Sequence, residues 1–150
     1  MSIFFYDILE NLYNIFINDS DITTIVDIEN IIIDTPQYIR NDNYTQIILH
    51  EPTMLRTESA SGCNFDIKIF WQFPIEVIIK GDIQDIDRDL KTANDLQKEL
   101  IKAILIDSSW DSDDYVDRPM LSRDQIGGLG MQPFVIRFLF FDINSYLRFG

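Results

Sequence analysis

Apolar residues at Phe5, Ile8, Leu9, Leu12, Ile15 and Phe16 recur at steps of three and four along the first segment. That spacing places them on one stripe and predicts an amphipathic helix from about Ser2 to Asn18. The polar run Asn18-Asp19-Ser20-Asp21 closes it. From Ile22 to Asp34 the chain is β-branched and short of helix formers. Its Ile31-Ile32-Ile33 run, set between Asn30 and Asp34-Thr35-Pro36, predicts a short buried strand. A turn at Asn41-Asp42-Asn43 leads into a second strand, Tyr44 to His50, which Pro52 ends.

Residues 53 to 63 break the pattern. Thr53, Arg56, Thr57, Glu58, Ser59, Ser61 and Gly62 form a polar stretch that reads as an exposed loop or the tip of a hairpin. Strict alternation follows: Phe65, Ile67, Ile69, Trp71 and Phe73 point one way, while Asp66, Lys68, Phe70 and Gln72 point the other. Pro74 removes a ladder donor and marks an edge, bulge or kink, after which Ile75, Val77 and Ile79 continue the strand to Gly81. Acidic residues from Asp82 to Asp89 open a second helix, whose apolar face runs through Ile86, Leu90, Ala93, Leu96, Leu100, Ile101 and Ile104. An acidic loop spans Asp107 to Asp117. A strand over Tyr115 to Leu121, a Gly127-Gly128-Leu129-Gly130 hinge and a last strand from Pro133 to Ile143 complete the chain. The order α-β-β-β-α-β-β, with links too short for crossovers, predicts an α+β fold. Its sheet is mostly antiparallel, of about four to five strands, with two packed helices.

Composition bounds the function. At 150 residues, 46% apolar and 25% charged, residues 1–150 suit a single globular domain. Twelve Lys+Arg against 25 Asp+Glu leave a net charge of −13. A sequence-specific DNA reader gains its affinity by neutralising phosphates, so this balance argues against one, and equally against an anionic membrane surface. One cysteine, Cys63, excludes an internal disulfide. One histidine, His50, leaves too few soft ligands for an ordinary zinc site. The first residues carry no basic group ahead of their apolar run, so no secretory signal is expected, nor any span of about 20 apolar residues.

Candidate chemistry is thin. Asp107, Asp111, Asp113, Asp114 and Asp117 have carboxylates enough for a divalent cation, and Asp111-Ser112-Asp113 resembles the opening of a calcium loop. Val116 replaces the glycine such a loop needs, however, and Ser122 replaces its closing glutamate. The glycines at 127, 128 and 130 precede a strand rather than a helix and have no lysine beside them, so they suit a turn better than a phosphate cradle. His50 stands near a strand end, and Cys63 has only Arg56 as a basic neighbour to activate it. The residues make no enzyme, and they call for no metal or cofactor.

One feature exceeds what a monomer needs. In the last strand Phe134, Ile136, Phe138 and Phe140 line one face, yet Val135, Leu139 and Phe141 make the other apolar too. A sheet with helices on one side shows a polar outer face. Either a helix covers each side or one side meets another subunit.

Taken together the pattern resembles the tail terminator (tail completion) and head–tail joining proteins of long-tailed bacteriophages. The resemblance covers most of the chain by element order and local phrasing. Tyr44-Thr45-Gln46-Ile47-Ile48-Leu49 resembles the first core strand of these proteins, and Thr57-Glu58-Ser59-Ala60-Ser61 their polar hairpin. Asn64-Phe65-Asp66-Ile67-Lys68-Ile69-Phe70 resembles their long second strand. Asp87-Arg88-Asp89-Leu90 before the helix and Asp124-Gln125-Ile126-Gly127-Gly128-Leu129 before the closing strand fit the same order. Pro74 and the extension after Asn144 depart from it. The resemblance implies a non-enzymatic virion protein of the phage tail or neck, made in the host cytoplasm. It would form a ring of self-copies, hexameric in the family, that caps the tail tube protein and joins the head–tail connector proteins. DNA would pass the lumen without specific binding, and no membrane is involved. The candidate subunit interface is Val135, Leu139 and Phe141 with Phe70, since a ring contact needs apolar surface. Arg56, Thr57, Glu58, Ser59 and Ser61 are the candidate surface for the tube or connector.

Two other classes fit parts of the sequence. A small acidic mimic of DNA that inhibits a host nucleic-acid enzyme would array its acids on one ridge, but it leaves the two-sided strand unexplained. A metal-dependent enzyme would use the 107–117 acids, and its metal would raise the thermal midpoint.

Overall fold

The computed structural model describes residues 4–33, 45–59, 66–80, 86–112, 115–127 and 134–148. The first helix, α1, runs Phe5–Ile17 and buries Ile8, Leu9, Leu12 and Phe16, as its spacing requires. Asp7 accepts the Phe4 N–H at 3.4 Å, and the Asn18 side chain donates to the Asn14 carbonyl at 2.9 Å, so both ends are capped by side chains.

The next element departs from expectation. Ser20–Ile25 forms a short helix, α2, inside the segment read as β-branched. Asp19 starts it by accepting the N–H groups of Asp21 and Ile22 at 2.9 and 3.1 Å. The Thr24 hydroxyl donates to the Ser20 carbonyl at 2.6 Å, and Ile22 is fully buried. Capping and one anchored side chain override weak propensity over six residues.

A 3₁₀ turn at Ile28–Asn30 leads into β1 (Ile31–Ile33), and β2 follows at Thr45–Leu49. The stretch read as a loop or hairpin tip is a strand over Thr53–Ser59, β3, exposed at every residue. Ser61 lies outside the described residues. The fourth strand, β4, runs unbroken through Asp66–Lys80. Pro74 is tolerated there for a geometric reason. In an antiparallel ladder the N–H and C=O of one residue face the same neighbour. The Pro74 carbonyl accepts the His50 N–H at 3.1 Å, so its missing N–H faces the gap where β2 ends and β3 has yet to begin.

The long helix α3 spans Ile86–Ile106 and carries on into a 3₁₀ turn at Ser108–Ser112. Strand β5 is Met120–Gly127, later than the Tyr115–Leu121 expected. Val116 contributes only an isolated bridge to Ser145. The final strand, β6, runs Phe134–Arg148, five residues past the expected end at Ile143. Of the glycine hinge, Gly127 ends β5 and the rest lies outside the described residues.

The molecule is α+β, with a mostly antiparallel six-stranded sheet in the order β1-β2-β4-β6-β5 and with β3 also paired to β4. The β1–β2 pair alone is parallel. All three helices lie against one face. Their core joins Leu12, Phe16, Leu96 and Leu100 to Phe73 and Ile75 of β4. Trp71 donates its indole N–H to Ser145 Oγ at 2.9 Å, which ties β4 to β6 inside that core. No described helix is long and apolar enough to cross a membrane.

Candidate assembly surface

The register of β4 and β6 decides which side of the closing strand is free. Ile75 lies opposite Leu139 and Phe73 opposite Phe141, and both pairs face the helices. Val135, Leu139 and Phe141 are therefore core, at 6, 1 and 0% exposure, and the outer face assigned to them from the sequence is corrected. Phe70 pairs in register with Asn144, lies on the opposite face and is half-buried. The four residues do not form one surface.

The second face carries the other half of β6. Near β2 it holds a small cluster of Ile48, Ile78 and Ile136 with Phe138 packed against it, and no described helix residue takes part. Glu76, 2% exposed, accepts a hydrogen bond from His50 Nε2 at 2.6 Å in this region. The His50 and Phe138 rings lie 6.2 Å apart, and Phe138 stacks on Phe140 at 6.1 Å. His50 is thus paired with Glu76 and packed beside Phe138.

Gly127 makes room for this stack. A Cβ there would sit 2.5 Å from Phe138 Cε2 and 2.9 Å from Ile136 Cγ2. Gly127→Ala should therefore destabilise the fold by about 1–3 kcal/mol through overpacking. A chemical-denaturation midpoint equal to wild type would contradict that.

Farther along the same face, cations cover the aromatic rings. The Arg56 guanidinium lies 4.2 Å from the Phe70 centroid, and Arg123 lies 4.2 Å from that of Phe140. Lys68 Nζ is 5.0 Å from Phe70 and 5.6 Å from Tyr146. Each such contact contributes about 0.5–1 kcal/mol where water reaches it. The cations let half-buried aromatics stand on an outer face without a greasy patch.

Lys68 also pairs with Asp117 at 3.3 Å, and the Tyr146 hydroxyl donates to the same carboxylate at 3.1 Å. Burial pushes the Lys68 pKa down, but hydrogen bonds and charge from Asp117 and Tyr146 outweigh it, leaving a value above the usual 10.5. A raised lysine pKa contributes stability that is present below 10.5 and lost as pH climbs through the folded value. The thermal midpoint gap between wild type and Lys68→Met should shrink above that pH, and a gap constant to pH 12 would contradict it.

Of the acids that could hold a cation, Asp113 and Asp114 lie outside the described residues, and Asp107, Asp111 and Asp117 are each hydrogen-bonded. Asp107 accepts from Ser109, and Asp111 accepts from Arg118 at 2.6 Å. Arg118 also donates to the Leu105 carbonyl and so caps the end of α3. Among the described residues no group of three His, Cys, Asp or Glu side chains is placed to hold a metal.

Among the described strands β1, β3 and β5 each pair on one side only, and β3 and β5 are the exposed ones. Every residue of β3 is exposed, including Met54 and Leu55 at 45 and 53%, and Arg56, Thr57, Glu58 and Ser59 lie along it. Strand β5 is exposed over all but its last residue, with Met120 and Ile126 at 69 and 57%. Sequence reading took β3 for a loop or hairpin tip and set the β5 strand too early, at Tyr115–Leu121, because a strand held by pairing rather than burial carries no hydrophobic alternation.

No family model and no curated protein sequence matches the chain. In three dimensions it is similar to a chain in the virion of a native gene transfer agent particle. The TM-score is 0.66, covering 90% of this chain and 91% of that one at 11% identity. At that identity the likeness is one of fold, and it extends over nearly the whole of both chains.

Proposed function

We propose that the protein is a structural component of a phage-type virion. More specifically, it is a tail terminator whose copies form a ring, hexameric as in the family it resembles, at the junction of tail tube and head connector. One observation carries this reading: end-to-end similarity of fold to a chain from the virion of a native gene transfer agent particle. The surface agrees with it. A ring of one chain needs two different patches per subunit that fit each other, and β3 and β5 expose two different margins of one sheet. The charge agrees as well. At −13 overall, the subunit's excess of acids lowers its net attraction for passing phosphates.

Native mass spectrometry of the purified protein tests the proposal. A species at a six-fold multiple of the 17.6 kDa subunit is expected. A single-subunit mass at every concentration would count against it.

A further inference from the structure

We infer that β3 of one copy pairs antiparallel with β5 of the next, with Glu58 set opposite Arg123, so that the sheet continues from subunit to subunit. The inference rests on the ring reading above and names its contact. It assigns β3 to a second copy rather than to the tube.

Edge strands expose a row of N–H and C=O groups that only water or another strand can satisfy, and proteins usually shield them. Neither β3 nor β5 contains a proline, and among the described strands β3 pairs with β4 alone and β5 with β6 alone. Each has a register irregularity near its start, between Met54 and Arg56 and between Leu121 and Arg123. Regular backbone is left over residues 56–59 and 123–127.

Strand direction follows from the ladder. β3 is antiparallel to β4, β4 to β6, and β6 to β5, so β3 and β5 run in opposite directions. Rotation about an axis along the sheet preserves directions, and a β3–β5 contact between neighbours is therefore antiparallel.

Faces and charges then select the register. Arg56 and Glu58 lie opposite Phe70 and Lys68, on the second face. Arg123 and Gln125 lie opposite Phe140 and Phe138, on the same face. Thr57 and Asp124 lie opposite Ile69 and Leu139, on the helix side. Pairing Glu58 with Arg123 puts Thr57 opposite Asp124 and Arg56 opposite Gln125. A shift of two residues one way opposes Arg56 to Arg123, which like-charge repulsion disfavours. A shift the other way leaves both charges with neutral partners. Among the described residues Glu58 pairs with the exposed Arg56 at 3.1 Å, a solvent-exposed contact that is readily exchanged.

The offset between the two edges also suits a closed ring. Glu58 stands level with Lys68 and Tyr146, whereas Arg123 stands level with Phe140. Six residues along β6 amount to about 20 Å, against about 19 Å for the four strands β3, β4, β6 and β5 side by side. Joining the edges at that stagger tilts the strands by roughly 45°, which is close to the tilt of closed barrels.

Charge exchange tests the contact. Glu58→Arg and Arg123→Glu should each reduce the ring to 17.6 kDa subunits with an unchanged far-ultraviolet circular dichroism spectrum, and the double exchange should restore it. In a Cys63→Ser background, Thr57→Cys with Asp124→Cys should oxidise to a ladder of covalent multimers, while either cysteine alone should not. A ring that survives both single reversals, or yields no ladder, would overturn this contact and leave the ring reading standing. Dimers from one cysteine alone would overturn it in favour of a two-fold contact. A wild-type protein of subunit mass would remove the ring reading itself.

Discussion

Phe141→Ala should lower stability by about 3–5 kcal/mol. Phe141 is fully buried, pairs in register with the equally buried Phe73, and belongs to the core that α1 and α3 cover. Removing the ring takes away its transfer energy and leaves a cavity that flanking strands cannot close, since Phe73, Leu139 and Ile143 are held by the ladder and the helices. Leu139→Asp should be harsher still and abolish folding, because a carboxylate would sit at a 1% exposed position inside the apolar core. On the second face Phe140→Ala removes a half-buried ring under Arg123 and should cost much less. Urea denaturation of the three variants checks the ranking. A folded Leu139→Asp protein would mean that this face is not the core.

The second large effect concerns the buried pair on the other face. His50→Ala should destabilise by roughly 2–4 kcal/mol, whereas Glu76→Leu should cost about 1 kcal/mol or less. The two partners are buried unequally, Glu76 at 2% exposure and His50 at 24%. Deleting the histidine strands a carboxylate beside Ile48, Ile78 and Ile136. Deleting the carboxylate in favour of leucine enlarges that apolar cluster, while the imidazole keeps access to water. Equal losses for the two variants would show that the pair itself, rather than desolvation of Glu76, sets the energy.

Much of this architecture is legible in the sequence where periodicity is strong. The stripe of α1, the alternation of β4 and the apolar face of α3 all emerge within a few residues of their observed limits. Three things are not legible, each for a physical reason. Helix α2 depends on the Asp19 cap and on one buried contact from Ile22, which outweigh its β-branched composition. Strand β3 is held by pairing with β4 rather than by burial, so it has no apolar period to read. The orientation of β6 is ambiguous because both of its faces are apolar. Matching it to β4 would have settled the matter, since the continuous apolar face of β4 (Ile67, Ile69, Trp71, Phe73) calls for Val135, Leu139 and Phe141 beside it. What the second face does with Phe138 and Phe140 then rests on residues distant in sequence: His50, Gly127 and Arg123.

The candidate site shows the same division. Arg56, Thr57, Glu58 and Ser59 were expected at the surface and lie there, on an edge strand rather than a loop. The other exposed edge, β5, is not marked in the same way, because side-chain pattern does not tell which strand stands last in a sheet.

Electron microscopy of the purified protein most directly tests the idea that these subunits close around a channel. Class averages should show rotationally symmetric rings with an open centre, and those rings should vanish in the Glu58→Arg variant. Compact particles of single-subunit size, with no central opening at any concentration, would contradict it.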